Sequence, residues 1–265
     1  MKKFLLLAVF SVLCLLILAP GKVYAFDVTV GATTWYAWGQ QNYSQKDDAS
    51  NYDSTIKSDP ALLYGPALSV KFSDDFNMTF VFLYGNFDAT KNDGSKSNFK
   101  RSDSDLALNY RLNNYLKVFV GAKYLKYDII PVKDNTSGLD DFRIKDMKPH
   151  TSYGSGIGLN AAVPITDNIF ALATLSGLYL FGNEKIVKTD PLGNNPKDLK
   201  IGYHEYGVNT NLSLAYYIAP ASTVISLGGR FQYLVADYKK NEIYLDSIQF
   251  MIYGVTLTAT YTFSI

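Results

Sequence analysis

Eight ionisable side chains fall on one parity of segments whose other parity is apolar: Lys71, Asp103, Asp105, Arg111, Lys117, Lys123, Glu205 and Arg230. In an extended chain such positions share one face. Carboxylates and cations gathered on the inner face of a closed sheet have two uses. They line a narrow water-filled path, where a small basic excess favours anions, or they pair and fill it, because charges withdrawn from water need partners.

Three further groupings could carry reactions. Asp103-Ser104-Asp105 sets two carboxylates on one face, and His204 is the imidazole that topology could bring opposite them to activate a water. Parity, however, aligns Glu205 rather than His204 with that pair. His150-Thr151-Ser152 sets a base and a hydroxyl on the parity of Gly154 and Gly156, the inner side, away from any lipid substrate. With two well-separated histidines and one cysteine there is no transition-metal cluster, so no metal and no cofactor is expected. Asp47-Asp48 and Asp140-Asp141 read as solvated loop carboxylates, and Gly193-Asn194-Asn195-Pro196 as a turn rather than a phosphate loop.

The elements that must position these residues begin after an export signal. Lys2 and Lys3 precede an apolar run from Phe4 to Ala19, and Val23-Tyr24-Ala25 supplies a cleavage site before Phe26. Cys14 lies inside that run, so the mature chain, residues 26–265, carries neither disulfide nor lipid anchor. The 25 basic residues less Lys2, Lys3 and Lys22 leave 22 against 24 acidic, a net charge of −2 that suggests no nucleic-acid partner.

In the mature region no apolar stretch reaches the roughly 18 residues of a spanning helix. Period-two alternation recurs instead. Val28, Val30, Tyr36 and Trp38 oppose Asp27, Thr29, Gly31 and Thr33, and Leu106, Leu108, Tyr110 and Leu112 oppose Asp103, Asp105, Asn109 and Arg111. Strands are predicted at 26–39, 62–73, 77–87, 101–113, 115–127, 151–165, 168–182, 203–218, 222–236 and 247–265. Both faces are apolar in 77–87 and 168–182, so eight or twelve strands also fit. Pro66 demands a bulge or a strand end. Long polar connections at 40–61, 88–100, 128–150, 183–202 and 237–246 alternate with short turns, and the tyrosines Tyr43, Tyr52, Tyr238 and Tyr244 fall in the long ones. Gly154, Gly156, Gly158 and Ala162 leave space on the inner face.

Alternating strands, alternating loop lengths and a chain rich in aromatics (21 Tyr, 16 Phe) resemble the bacterial outer-membrane β-barrel superfamily over nearly the whole length. The final strand, Tyr253 to Ile265, resembles the terminal signal that outer-membrane assembly machinery reads, although Ile265 stands where Phe is usual and Phe263 lies two positions earlier. The resemblance implies a single-domain, all-β, transmembrane antiparallel up-and-down barrel of about ten strands, with both termini in the periplasm and five loops outside. Its implied partners are outer-membrane lipid, lipopolysaccharide and the assembly machinery. From the enclosed charges, the function expected is non-enzymatic: a small porin-like channel for passive diffusion of hydrophilic solutes. The alternatives are a non-conducting surface adhesin or structural barrel, and, from the likeness of Asp103-Ser104-Asp105 and the strand number to the omptins, an outer-membrane protease.

Overall fold

The computed structural model describes residues 26–46, 51–90, 96–127, 143–147, 150–189, 197–238 and 245–264. The candidate signal peptide, Asp47-Asp48, Asp140-Asp141, Gly193–Pro196 and Tyr244 lie outside them. Twelve strand segments run in chain order: β1 (Asp27–Lys46), β2 (Asn51–Ser58), β3 (Ala61–Lys71), β4 (Phe76–Thr90), β5 (Lys96–Arg111), β6 (Leu116–Tyr127), β7 (Arg143–Met147), β8 (His150–Pro164), β9 (Ile169–Thr189), β10 (Lys197–Ile218), β11 (Thr223–Tyr238) and β12 (Leu245–Ser264). β2 and β3 share the place between β1 and β4, and β7 and β8 share the place beside β9, so the segments occupy ten positions. All pairings are antiparallel. β1 pairs β12 from Asp27↔Ser264 through Ser44↔Ser247, which closes the ring.

Three of the four short turns share one device. Ser73 Oγ, Asn113 Oδ1 and Thr166 Oγ1 each accept a hydrogen bond from the backbone N–H three residues on, at 3.2, 2.9 and 3.1 Å. The fourth is a 3₁₀ turn, Ala219–Ala221, ended by Ser222 in the left-handed region at φ 45°. Asp27 and Ser264, paired where the ring closes, lie on this side of the barrel.

The strands are longer than a membrane requires. About 9–11 tilted residues cross the hydrocarbon, whereas β9 has 21 residues and β10 has 22. Much of what the sequence pattern assigns to long connections at 40–61, 88–100 and 183–202 is therefore strand. Tyr43 and Tyr52 lie in β1 and β2, and Tyr238 is a buried residue of β11 rather than a loop tyrosine. Pro66 makes neither a bulge nor a strand end. It stays in register with Ala32 of β1, and the ladder to β4 lapses between Tyr64↔Tyr84 and Ala67↔Val81, where its missing N–H would have donated.

Two rings of outward aromatic side chains encircle the wall. Phe76, Tyr110, Tyr115, Tyr216, Tyr261 and Phe263 stand near the short turns, and Tyr64, Tyr84, Tyr153, Tyr179, Tyr206 and Tyr253 nearer the other end. Ten residues separate Tyr206 from Tyr216. At about 3.3 Å per residue and a tilt of about 40°, that is roughly 25 Å, the height of a lipid-facing band. Between the rings the outward residues are aliphatic and exposed, Leu212, Leu227 and Leu257 among them.

Above the second ring the polarity reverses without any slip of register. In β12 the inward residues are Thr256, Thr258, Thr260 and Thr262 within the band but Ile248, Phe250 and Ile252 above it, while the outward side passes from Leu257 and Val255 to Gln249 and Ser247. β1 does the same, with Thr29 and Thr33 giving way to Trp35 and Ala37 inside. The lower half is a membrane barrel and the upper half is packed like a water-soluble β-protein, around Leu63, Leu83, Phe87, Phe99, Leu125, Leu180, Ile201 and Leu234. This accounts for the strands with two apolar faces, since their upper inward residues join that core.

Position on the wall should set the cost of a new charge. Leu212→Arg, outward and near mid-band, is expected to destabilise the barrel by about 2–4 kcal/mol, and Gln249→Arg, outward above the band, by under about 1 kcal/mol. Urea unfolding of each variant in lipid vesicles measures both; equal costs would contradict the assignment of the band.

Candidate functional site

Where the two halves meet, a layer of charged side chains crosses the bore. β5 supplies Arg101, Asp103 and Asp105 at alternate positions, and the β5–β6 register sets Lys123 directly opposite Asp105. Lys123 Nζ donates to Asp105 Oδ1 at 2.7 Å and also to Asp103. Arg101 Nη2 donates to Asp103 Oδ2 at 3.2 Å and to Gln232 Oε1 of β11. Arg230 Nη2 lies 3.4 Å from Asp105 Oδ2 and 3.8 Å from Asp103 Oδ2, and its Nε donates to Asn209 Oδ1 at 3.0 Å. The Arg230 guanidinium sits 4.5 Å over the Trp35 ring, a cation–π contact in a site nearly closed to water. The side chains of Arg101 and Asp103 are 1% exposed.

A second buried group adjoins the first through Tyr127, whose ring lies 5.6 Å from the Arg101 guanidinium. Glu205 accepts from Tyr127 OH at 3.0 Å and from Ser152 Oγ, and His150 Nε2 is 3.6 Å from its Oε2. The imidazole is stacked between the rings of Tyr127 and Tyr203, at centroid distances of 4.5 and 3.9 Å. Together, Arg101, Lys123 and Arg230 balance Asp103, Asp105 and Glu205.

The structure thus gathers Asp103, Asp105, Lys123 and Arg230 in one cluster with Glu205 beside it, and leaves the other three sequence-predicted residues at the short-turn mouth. There Lys71 donates to Asp74 Oδ1 at 2.9 Å and lies 4.0 Å from Asp27, Arg111 Nε is 3.6 Å from Asp75, and Lys117 Nζ donates to Asn77 Oδ1 at 3.1 Å. The hydrogen bond and charge of Lys71 hold the exposed Asp74 carboxyl below the usual carboxylate range. Sequence parity alone did not single out Arg101, which shares the face of Asp103 two residues later, nor Trp35, Tyr127 and Tyr203.

Neighbouring side chains reach over two of the inner glycines. A Cβ at Gly158 would come within 2.5 Å of the Phe119 ring, and one at Gly156 within 2.7 Å of Leu178. Beside Arg101 and Phe250 a cavity of about 10 Å³ remains, the volume of about one water.

Neither catalytic grouping is assembled. Asp103 and Asp105 are committed to three cations, and His204 points outward, its Nδ1 3.1 Å from Tyr179 OH. Around Ser152 the carboxylate, not the imidazole, takes the serine hydrogen bond, and both Ser152 and His150 are fully enclosed. A base must reach the nucleophile, and a substrate must reach both. Among the described residues no group of three or more metal-ligating side chains occurs.

No family model matches the chain, and no curated protein matches it. Among solved structures it is similar to the outer membrane protease OmpT from Escherichia coli, with 12% identity, 90% of this chain and 97% of that one covered, and a TM-score of 0.54. It is also similar to the outer membrane protein AlkL (12% identity, 93% and 95% covered, TM-score 0.45) and to OprG from Pseudomonas aeruginosa (11%, 90% and 95%, 0.36). At such identities the likeness is one of fold. The ring of antiparallel strands is that of the integral β-barrels of the bacterial outer membrane.

Proposed function

We propose that this outer-membrane barrel is closed to hydrophilic solutes, is not an enzyme, and acts through the surface it raises above the outer leaflet, with its short turns in the periplasm. One observation carries the reading: a charge-balanced layer and an apolar core fill the outer half of the bore. A diffusion pore needs a continuous wet path, and Trp35, Leu63, Phe87, Leu125, Leu180 and Leu234 are inaccessible across that half. The raised wall offers Gln40, Asn42, Lys57, Asp88, Lys100 and Lys126 to the outside, a mixed polar face suited to binding a surface partner.

Planar-bilayer recording of the purified mature chain tests the closure. A silent membrane into which the barrel has demonstrably inserted is the expected result. Step-like openings recurring in independent reconstitutions would overturn it and restore the porin-like reading.

A further inference from the structure

The filled half of the bore leaves the other half solvated. Below the charged layer the inward residues, Thr29, Asn77, Thr79, Asn160, Asn211 and Ser213 among them, are partly accessible, so water reaches them from the short-turn mouth. Their chemistry is hydroxyl and amide, with the ring of Phe119 inward among them, and one row is already ordered. Thr174 Oγ1 donates to Asn160 Oδ1 at 2.7 Å, Asn160 Nδ2 to Asn109 Oδ1 at 2.8 Å, and Asn109 Nδ2 to the Asn77 carbonyl at 3.2 Å. The row ends on Lys117, bonded to Asn77 Oδ1.

Lys117 stands directly opposite Arg111 in the β5–β6 register. Like charges so placed repel. Arg111 and Lys71 turn to the rim carboxylates of Asp75 and Asp74, whereas among the described residues no carboxylate lies within ion-pairing distance of Lys117. A half-buried ammonium without a counter-charge, facing a second cation and flanked by oriented amides, is the donor set for an anionic group carried on a hydroxyl-rich body.

We propose that the short-turn half of the bore is a blind binding chamber for a small, polyhydroxylated anion such as a sugar phosphate. The anionic group sits between Lys117 and Arg111, and the hydroxyls reach Asn77 and Asn160, which flank the buried Asn109. The inference rests on the closed-bore reading only for the side of entry, which is the periplasm.

Calorimetric titration of the folded mature barrel in detergent, with glucose 6-phosphate, glucose and inorganic phosphate as probes, tests it. Detergent leaves the short-turn mouth exposed to the titrant, so the result is independent of conductance. Expected are binding of glucose 6-phosphate that weakens as sodium chloride is raised, no heat from glucose, and about tenfold or greater weakening in Lys117→Gln. Asp237→Asn, outward on β11, should bind as the parent does. Arg111→Gln supplies the same reading should Lys117→Gln fail to fold by circular dichroism. Binding that is absent, indifferent to salt, or unchanged in both inward variants would overturn the chamber, and phosphate binding as tightly as glucose 6-phosphate would overturn the assignment to a sugar.

Discussion

Asp103→Ala is expected to destabilise the barrel by about 3–5 kcal/mol, because it strands buried cations. The Asp103 carboxylate is the shared partner of Lys123, Arg101 and Arg230, and the Lys123 side chain is 2% exposed. Asp105 still faces Lys123 and Arg230, but among the described residues Arg101 would keep the neutral Gln232 and the Tyr127 face, with no carboxylate. Removing one charge of such a set costs more than the set contributes, since the remaining members stay desolvated. Arg101→Met in the Asp103→Ala background should therefore recover part of the loss by deleting the cation left without a carboxylate. Urea unfolding in lipid vesicles measures the single and double variants. A loss under about 1 kcal/mol for Asp103→Ala would mean that water reaches the layer, which would also undermine the closed bore.

Trp35→Ala should cost about 3 kcal/mol, the lower end of the range for truncating a buried large aromatic. Two features set the estimate. The indole is fully buried in the outer core, so its removal opens a cavity, and it carries the Arg230 guanidinium on its face. Against this, Trp35 Nε1 makes no hydrogen bond among the described residues, so its loss orphans no acceptor. Because Trp35 and Asp103 both hold Arg230, their effects should not add, and a double-mutant cycle should give a coupling of about 0.5–3 kcal/mol. The same unfolding measurement serves, and strict additivity would show that Arg230 does not link them.

How legible this arrangement is in the sequence depends on height along the barrel. Period-two parity places every one of the eight charged positions on the inner side, because alternation survives whatever lies on either face. Parity does not say which face is wet. Within the lipid band the outer face is apolar, and Leu106, Leu108 and Leu212 mark it; above the band Ile248, Phe250 and Trp35 are apolar and inside. Local pattern cannot show where that exchange falls, since it follows from how far the closed ring stands clear of the bilayer. The contacts of the charged layer are hidden for a second reason. Asp105 meets Lys123 across one hairpin and is locally encoded, whereas Arg101 meets Gln232 over a sequence separation of 131 residues, a meeting that exists only once the ring has closed. The spacious look of Gly156 and Gly158 misled in the same way, as the atoms that fill the space come from β9 and β6.

The exchange of polarity along single strands acts as a waterline. Sliding the barrel outward by two residues, about 5 Å along the membrane normal, would lift leucines of the band into water, and sliding it inward would drag Gln40 and Gln249 into hydrocarbon. Either displacement raises the free energy, so immersion depth has a restoring force on both sides. The unit should therefore float at one level in membranes of differing composition, bending the lipid around itself rather than changing its own draught.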